Sequence, residues 1–259
     1  MASALPDLRM NVGMYQAAAA LSANDRWQEQ IAENLTSSSI PGFKKQEVSF
    51  AAIQAGMLPA TGVGQAAGSS HYILPKSSSR PNLSPGEMRY TGGVTDVAID
   101  GRAFFEVQLA NGSPAYTRNG GFQVSAQGQL VTQQGNVVMG EGGPIQIELE
   151  NGLPIAISPT GEVSQGGDIK GKIKMVEFGD ETRLTQLNGA LFSANDPAVN
   201  ATPATASTVR QGWLEGSNAS VVLEMAHLLT AMRTFEANQR VIQLQDDRMN
   251  KAINALEPG

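Results

Sequence analysis

The sequence predicts a mixed α and β fold. Long N- and C-terminal helices pair as a coiled coil and are joined through an extended β segment to a mainly antiparallel β domain. Three observations lead there. Apolar residues recur at heptad spacing near both ends of the 259-residue chain. Between them, over residues 94–178, short apolar runs alternate with turn signals at the spacing of a hairpin-built domain. Stretches rich in Gly, Ser and Pro separate the two kinds of pattern.

The first helix is expected within residues 1–35. Met10, Met14, Ala17, Leu21, Asn24, Gln28, Ile31 and Leu35 follow alternating steps of four and three, the a/d seam of a coiled coil with polar interruptions at Asn24 and Gln28. The helical pattern then stops abruptly in "NLTSSSIPGFKK" (34–45). Pro41 removes an amide donor, and Gly42 permits a turn that bulkier residues resist. Asn34, Leu35, Pro41, Gly42 and Phe43 are therefore read as a joint. Phe43 is expected to anchor on a neighbouring surface, with Lys44 and Lys45 facing solvent or an acidic partner. Residues 36–92 form the joining segment and linker.

The β-rich domain is assigned to 93–192. "VTDVAID", "AFFEVQL", "AYTR", "GFQVS", "GQLVTQ", "NVVMG", "PIQIEL", "LPIAIS", "GEVS" and "KIKMVEF" read as strands. Asn111-Gly112, Asn119-Gly120, Gln127-Gly128, Asn151-Gly152 and Thr160-Gly161 supply turn residues that tolerate positive φ. A return linker, 193–216, contains "SANDPAVNATPATAS". The second helix is assigned to 217–259, capped by Ser217 or Asn218 and ended by Pro258-Gly259. Val221, Leu228, Phe235, Ile242, Met249 and Leu256 are spaced by seven, with Met225, Met232, Gln239, Asp246 and Ile253 as companions. Isolated helices of this kind are marginal in water and need partners. The assembly seam is read as Met14, Leu21, Ile31, Leu35, Val221, Met225, Leu228, Met232, Phe235, Ile242 and Met249.

Composition excludes several function classes. The formal charge is −6 and no basic stripe stands out, against nucleic-acid binding. The chain has no cysteine, so neither a disulfide framework nor a thiolate metal site is available. No apolar run is long enough to span a bilayer, so no membrane insertion is expected. "AAAAL" (17–21) lacks the basic flank and long apolar core of a cleaved signal.

Catalytic constellations are equally scarce, and no cofactor or metal is expected. Neither His71 nor His227 has a metal-ligand partner at i+3 or i+4. "GVGQAAG" (62–68) matches a dinucleotide fingerprint only in its Gly62, Gly64 and Ala67, and it follows no convincing strand and opens no helix. Asp96 and Asp100 read as solvated turn acids, and Arg118 in "YTRNGG" as a strand-end arginine paired with a local carboxylate.

Four segments in order, "AENLTSSSIPGFKK", "DVAIDGRAFFEV", "AYTRNGGFQVSAQGQLVTQQGNVVMGEGGPI" and "GWLEGSNASVVLEMAHLLTAMRTFEANQRVI", resemble the bacterial flagellar rod and hook family. The resemblance covers nearly the whole chain and is strongest to basal-body rod subunits of the FlgF/FlgG kind. The short stretch after Phe43 and "GEGGPI" (141–146) favour the proximal rod type over the distal. The resemblance implies a non-enzymatic axial protein that polymerises with copies of itself and other rod subunits into a periplasmic tube. It also implies passage through the flagellar type III export apparatus without a cleaved signal peptide. The sequence departs from the family pattern in the thirteen residues before Met14-Tyr15, in Thr36-Ser37-Ser38, and in Ala103 and Ala219. The competing readings are a distal rod or hook-type axial subunit, a soluble β-domain binding module dimerised by a coiled coil, and a carboxylate hydrolase.

Overall fold

The computed structural model describes residues 5–58, 70–149, 152–196 and 199–254, and within them no side chains of 5–15, 53–58, 70–75, 252 or 253. The side chains of Met10, Met14, His71 and Ile253 therefore lie outside the described residues, as do the 62–68 stretch, Asn151, Leu256 and Pro258-Gly259. The chain divides into two compact units, one of residues 1–35, 46–80 and 221–259, the other of 36–45 and 81–220.

In the first unit, helix α1 (Leu5–Thr36) precedes two long strands, β1 (Gln46–Leu58) and β2 (Ser70–Pro81), which pair as a two-stranded sheet. Both strands lie within the segment read as joining segment and linker. Trp27 of α1 packs edge-on against Phe50 of β1, with ring centroids 5.7 Å apart. Helix α2 (Val221–Asn254) completes the unit.

The expected coiled coil is corrected here: α1 and α2 are the two long helices, but they do not pair along a continuous seam. Among the described residues, the buried positions of α1 are Ala23, Asn24, Ile31 and Asn34, and those of α2 are Glu224 and Ala231. Asn24 donates from Nδ2 to the Ala231 carbonyl at 3.0 Å, and Asn34 donates to the Glu224 carboxylate at 3.3 Å. The physical reason lies in the companion positions. Leu228, Phe235, Ile242 and Met249 are half-buried, but the residues sharing their face are Glu224, Ala231, Asn238 and Gln245. Met225, Met232, Gln239 and Asp246, one residue further on, are exposed. A stripe alternating apolar with polar side chains lacks the second row of knobs that a coiled coil packs into holes. The same one-residue offset occurs in α1, where Trp27 and Asn34 turn inward beside Asn24 and Ile31.

The second unit is built from antiparallel strands. In chain order these begin with β3 (Met88–Tyr90), β4 (Val97–Asp100), β5 (Phe104–Gln108), β6 (Pro114–Thr117), β7 (Phe122–Val124), β8 (Leu130–Thr132) and β9 (Val137–Gly140). There follow β10 (Gly143–Pro144), β11 (Ile155–Ile157), β12 (Glu162–Gln165), β13 (Asp168–Lys172) and β14 (Met175–Phe178). The unit closes with β15 (Thr185–Gln186), β16 (Leu191–Ser193), β17 (Ala201–Pro203), β18 (Thr208–Gln211) and β19 (Trp213–Glu215). The largest sheet runs β15-β16-β6-β5-β9-β8-β7, with β10 on β9 and with β14 joining β5 to β17. β11-β12-β13 form a second sheet, and β18 pairs with β4 and β19 with β3.

Strand β5 shows how the sequence builds this core. Phe104 and Phe105 are consecutive and both fully buried because side chains on a strand alternate faces. Phe105 joins Val97, Ile99, Val107, Leu130, Val138 and Ile173 on one face. Phe104 joins Tyr116, Phe178 and Phe192 on the other, in edge-to-face contacts at 4.9 to 5.7 Å. Gly112, Gly128, Gly152 and Gly161 have the positive φ expected of them. Gly120 does not; it permits a close approach, since a Cβ there would sit 1.7 Å from the Val97 carbonyl oxygen. The "PIQIEL" run forms no strand of its own, although Ile145 and Ile147 are buried.

Candidate functional site

The residues singled out by sequence fall into two places, one in each unit. In the first unit they lie along the helices. Ile31 is buried and Leu21 and Leu35 are half-buried. On α2, Leu228, Phe235, Ile242 and Met249 are half-buried, while Val221, Met225 and Met232 are exposed. Val222, Met225, Leu229 and Met232 follow steps of three, four and three and form one exposed apolar stripe, at 80%, 51%, 59% and 50% exposure. Contiguous exposed apolar side chains of this kind mark interaction sites. Asn34 does not cap α1. Its amide spans the main chain of Gln46, accepting from the Gln46 N–H at 2.8 Å and donating to its carbonyl at 2.9 Å.

In the second unit, segment 36–45 is held closely at Gly42, Phe43 and Lys44, all buried. Gly42 has φ +68°, and a Cβ there would fall 2.3 Å from the Asn119 nitrogen and 2.4 Å from the Arg118 carbonyl carbon. Only glycine meets both demands. Its N–H donates to the Glu215 carbonyl at 2.7 Å, and the Phe43 carbonyl accepts from the Asn218 N–H at 3.3 Å. Phe43 is wholly buried within its own chain.

Lys44 is also wholly buried and meets an acidic partner of the same chain. Its ammonium donates to Glu215 Oε1 at 2.5 Å and to the Ser84 carbonyl at 2.8 Å. Glu215 Oε1 also accepts from the Gly86 N–H at 2.9 Å, and Arg118 Nε lies 3.6 Å from Oε2. Arg118 donates to the carbonyls of Ala103 and Gly101, both at 2.7 Å, with its guanidinium 5.3 Å from the Phe104 ring centroid. Burial pushes the Lys44 ammonium below its ordinary range despite the opposing pull of Glu215, and the same desolvation lowers Arg118.

Glu215 and Asn218 are the residues that sequence reasoning missed. Asn218, read there as a helix cap, lies before the helix start at Val221. Its amide instead accepts from the Lys45 N–H at 2.8 Å and donates to the carbonyls of Asn82 and Ser84 at 2.8 and 3.0 Å. The one available signal was the lysine pair, which calls for a carboxylate without locating it.

Nothing in this arrangement has the form of a reaction centre. Among the described residues no three His, Asp or Glu side chains converge as a metal site. Asp96 accepts from the Thr91 hydroxyl at 2.6 Å, Asp100 pairs with Arg210, and His227 lies 3.8 Å from Glu224. No helix among the described residues is long and apolar enough to cross a membrane. The chemistry available is polar locking within the second unit and an uncovered apolar face in the first.

Comparison with known proteins identifies the family. Residues 98–165 match the family model of the flagellar hook protein FlgE/F/G D1 domain. Residues 210–255 match that of the flagellar basal body rod FlgEFG protein C-terminal region. The chain is 32% identical over 261 residues to the flagellar basal-body rod protein FlgF of Escherichia coli, covering 95% of this chain and 99% of the relative. It is 33% identical over 230 residues to FlgF of Caulobacter vibrioides, covering 88% and 89%. It is 31% identical over 253 residues to the basal-body rod protein FlgG of Agrobacterium fabrum, covering 89% and 94%. The chain belongs to the FlgF/FlgG-type family of flagellar basal-body rod proteins.

Proposed function

We propose that this chain is a structural subunit of the bacterial flagellar basal-body rod, of the proximal kind, and that it polymerises through faces of its terminal helices left uncovered in the single chain. The observation that carries this reading is the exposed stripe Val222, Met225, Leu229 and Met232 on α2, in a chain similar over nearly its full length to rod proteins. Copies of the chain and other rod subunits are the partners, and transit to the periplasm is through the flagellar export apparatus. The helices gain their burial at the growing end, where neighbouring helices cover the stripe. Val221, Met225 and Met232 serve this contact directly. Leu21, Ile31, Leu35, Leu228, Phe235, Ile242 and Met249 support the helix faces behind it, and Met14 belongs to the seam read from the sequence. Segment 36–45, with Pro41, Gly42 and Phe43, fixes where the chain leaves the helix. No reaction, cofactor or metal is assigned.

Limited proteolysis tests this. In the purified subunit, cuts are expected first within 221–254, while 93–192 resists; in isolated basal bodies the same helix is expected to be protected. Equal resistance of helix and β unit in the free subunit would contradict coupled ordering.

A further inference from the structure

In the first unit, α2 turns the less apolar of its two companion rows inward. Glu224 and Ala231 are buried, while Met225 and Met232, the next residue in each case, stand half in solvent. Apolar burial alone favours the reverse, since a methionine gains on leaving water and a carboxylate loses. The row Leu228, Phe235, Ile242 and Met249 is half-buried and lies between the two companion rows, so it does not choose between them. Something else holds α2 in the orientation observed.

Two asparagines of α1 do so. Asn24, 2% exposed, donates from Nδ2 to the Ala231 carbonyl at 3.0 Å. That bond reaches main chain because Ala231 has no side chain beyond Cβ; Glu224, Asn238 and Gln245, the rest of its row, are longer. Asn34 donates to the Glu224 carboxylate at 3.3 Å, and its amide is fixed by the two bonds with the Gln46 main chain. Passing from Asn24 to Asn34 along α1 leads from Ala231 back to Glu224 on α2. The ties therefore join antiparallel stretches and fix their slide as well as their turn.

Both ties carry a cost. Asn24 Oδ1 is buried without a hydrogen-bond partner among the described residues, although buried acceptors are ordinarily paired. Glu224 is a buried carboxylate with the His227 ring 3.8 Å away. A buried polar contact that weakens a helix pair is best explained by the arrangement it selects. We propose that Asn24, with Asn34 and Glu224, is an orientation lock: it holds α2 turned so that Met225, Leu229 and Met232 face outward as an assembly surface. Without the lock, Met225 and Met232 turn in against α1 and the surface is lost. Asn24 and Glu224 are positioning residues, which decide the face that a neighbouring subunit meets. The assembly half of the proposal rests on the rod-subunit reading; the orientation half does not.

The absence of cysteine makes the orientation readable. In the purified full chain, single thiols are placed by Met232→Cys on the outward row and by Asn238→Cys on the half-buried inward row, each with and without Asn24→Leu. With Asn24→Leu, maleimide labelling at position 232 is expected to slow roughly tenfold and that at 238 to quicken, because a thiol turned inward reacts only through local opening. Glu224→Leu should shift both in the same directions. Glu224→Gln, which still accepts from Asn34, should leave both unchanged. Labelling that Asn24→Leu does not alter overturns the proposal. So does faster labelling at both positions, which would mean that Asn24 merely holds the helices together. The Asn24→Leu chain is expected to be missing from isolated basal bodies. Reciprocal labelling in a chain that still incorporates normally keeps the lock and contradicts the reading of the stripe as an assembly contact.

Discussion

Segment 36–45 and helix α2 exchange the roles that their sequence patterns suggest. The segment, with its Ser, Pro and Gly, reads as a loose hinge, yet Phe43 and Lys44 are 0% exposed. The helix, with apolar residues every seventh position, reads as a buried seam, yet Met225 and Met232 are half in solvent. The difference teaches that burial follows from whether a partner lies within the same chain. Segment 36–45 finds its partners in Glu215, Arg118 and Asn218. The outer face of α2 finds none among the described residues.

Breaking the buried charge cluster is expected to have the largest effect on stability. Glu215→Ala leaves Lys44 buried without its carboxylate and Arg118 without its partner, and should cost about 3–5 kcal/mol. Urea unfolding followed through Trp213 fluorescence reads it. The double variant Lys44→Met with Glu215→Leu should recover only the part of that loss that comes from Lys44, since Arg118 and the Gly86 N–H still lose their acceptor. A double variant as unstable as the single would show that the unpaired Arg118, not Lys44, carries the loss.

Gly42→Ala comes next. Positive φ alone costs an alanine roughly 1–3 kcal/mol, and the Cβ would also strike the main chain of Arg118 and Asn119. The same unfolding experiment should show the loss, and a Gly42→Ala protein of unchanged stability would refute the close approach.

Much of the fold was legible in the sequence. The ends of the chain as helices and the middle as antiparallel hairpins both follow from periodicity, since each strand carries its own alternation. Phe104-Phe105 fell in a run read as a strand, and Gly112, Gly128 and Gly161 announced their turns. What was not legible depends on long-range pairing. Glu215 stands 171 residues from Lys44, and no local pattern links them. On α2 the inward positions include Glu224 and Ala231 rather than Met225 and Met232, one residue earlier than the heptad reading had them, because Met225 and Met232 are the more apolar pair. Hydrophobicity marks the positions that need cover without saying which molecule provides it. Asn34, read as part of the joint, lies in the last turn of α1, and its amide ties that turn to Gln46.

The smallest expected effect on the free subunit tests the central claim most directly. Met225→Glu with Met232→Glu alters two exposed side chains and should change unfolding free energy by no more than about 0.5 kcal/mol each. If the uncovered face of α2 is an assembly contact, the variant should fold normally yet be missing from isolated basal bodies, and cells relying on it should not swim. Incorporation at the level of the unsubstituted chain, with swimming retained, would contradict the account.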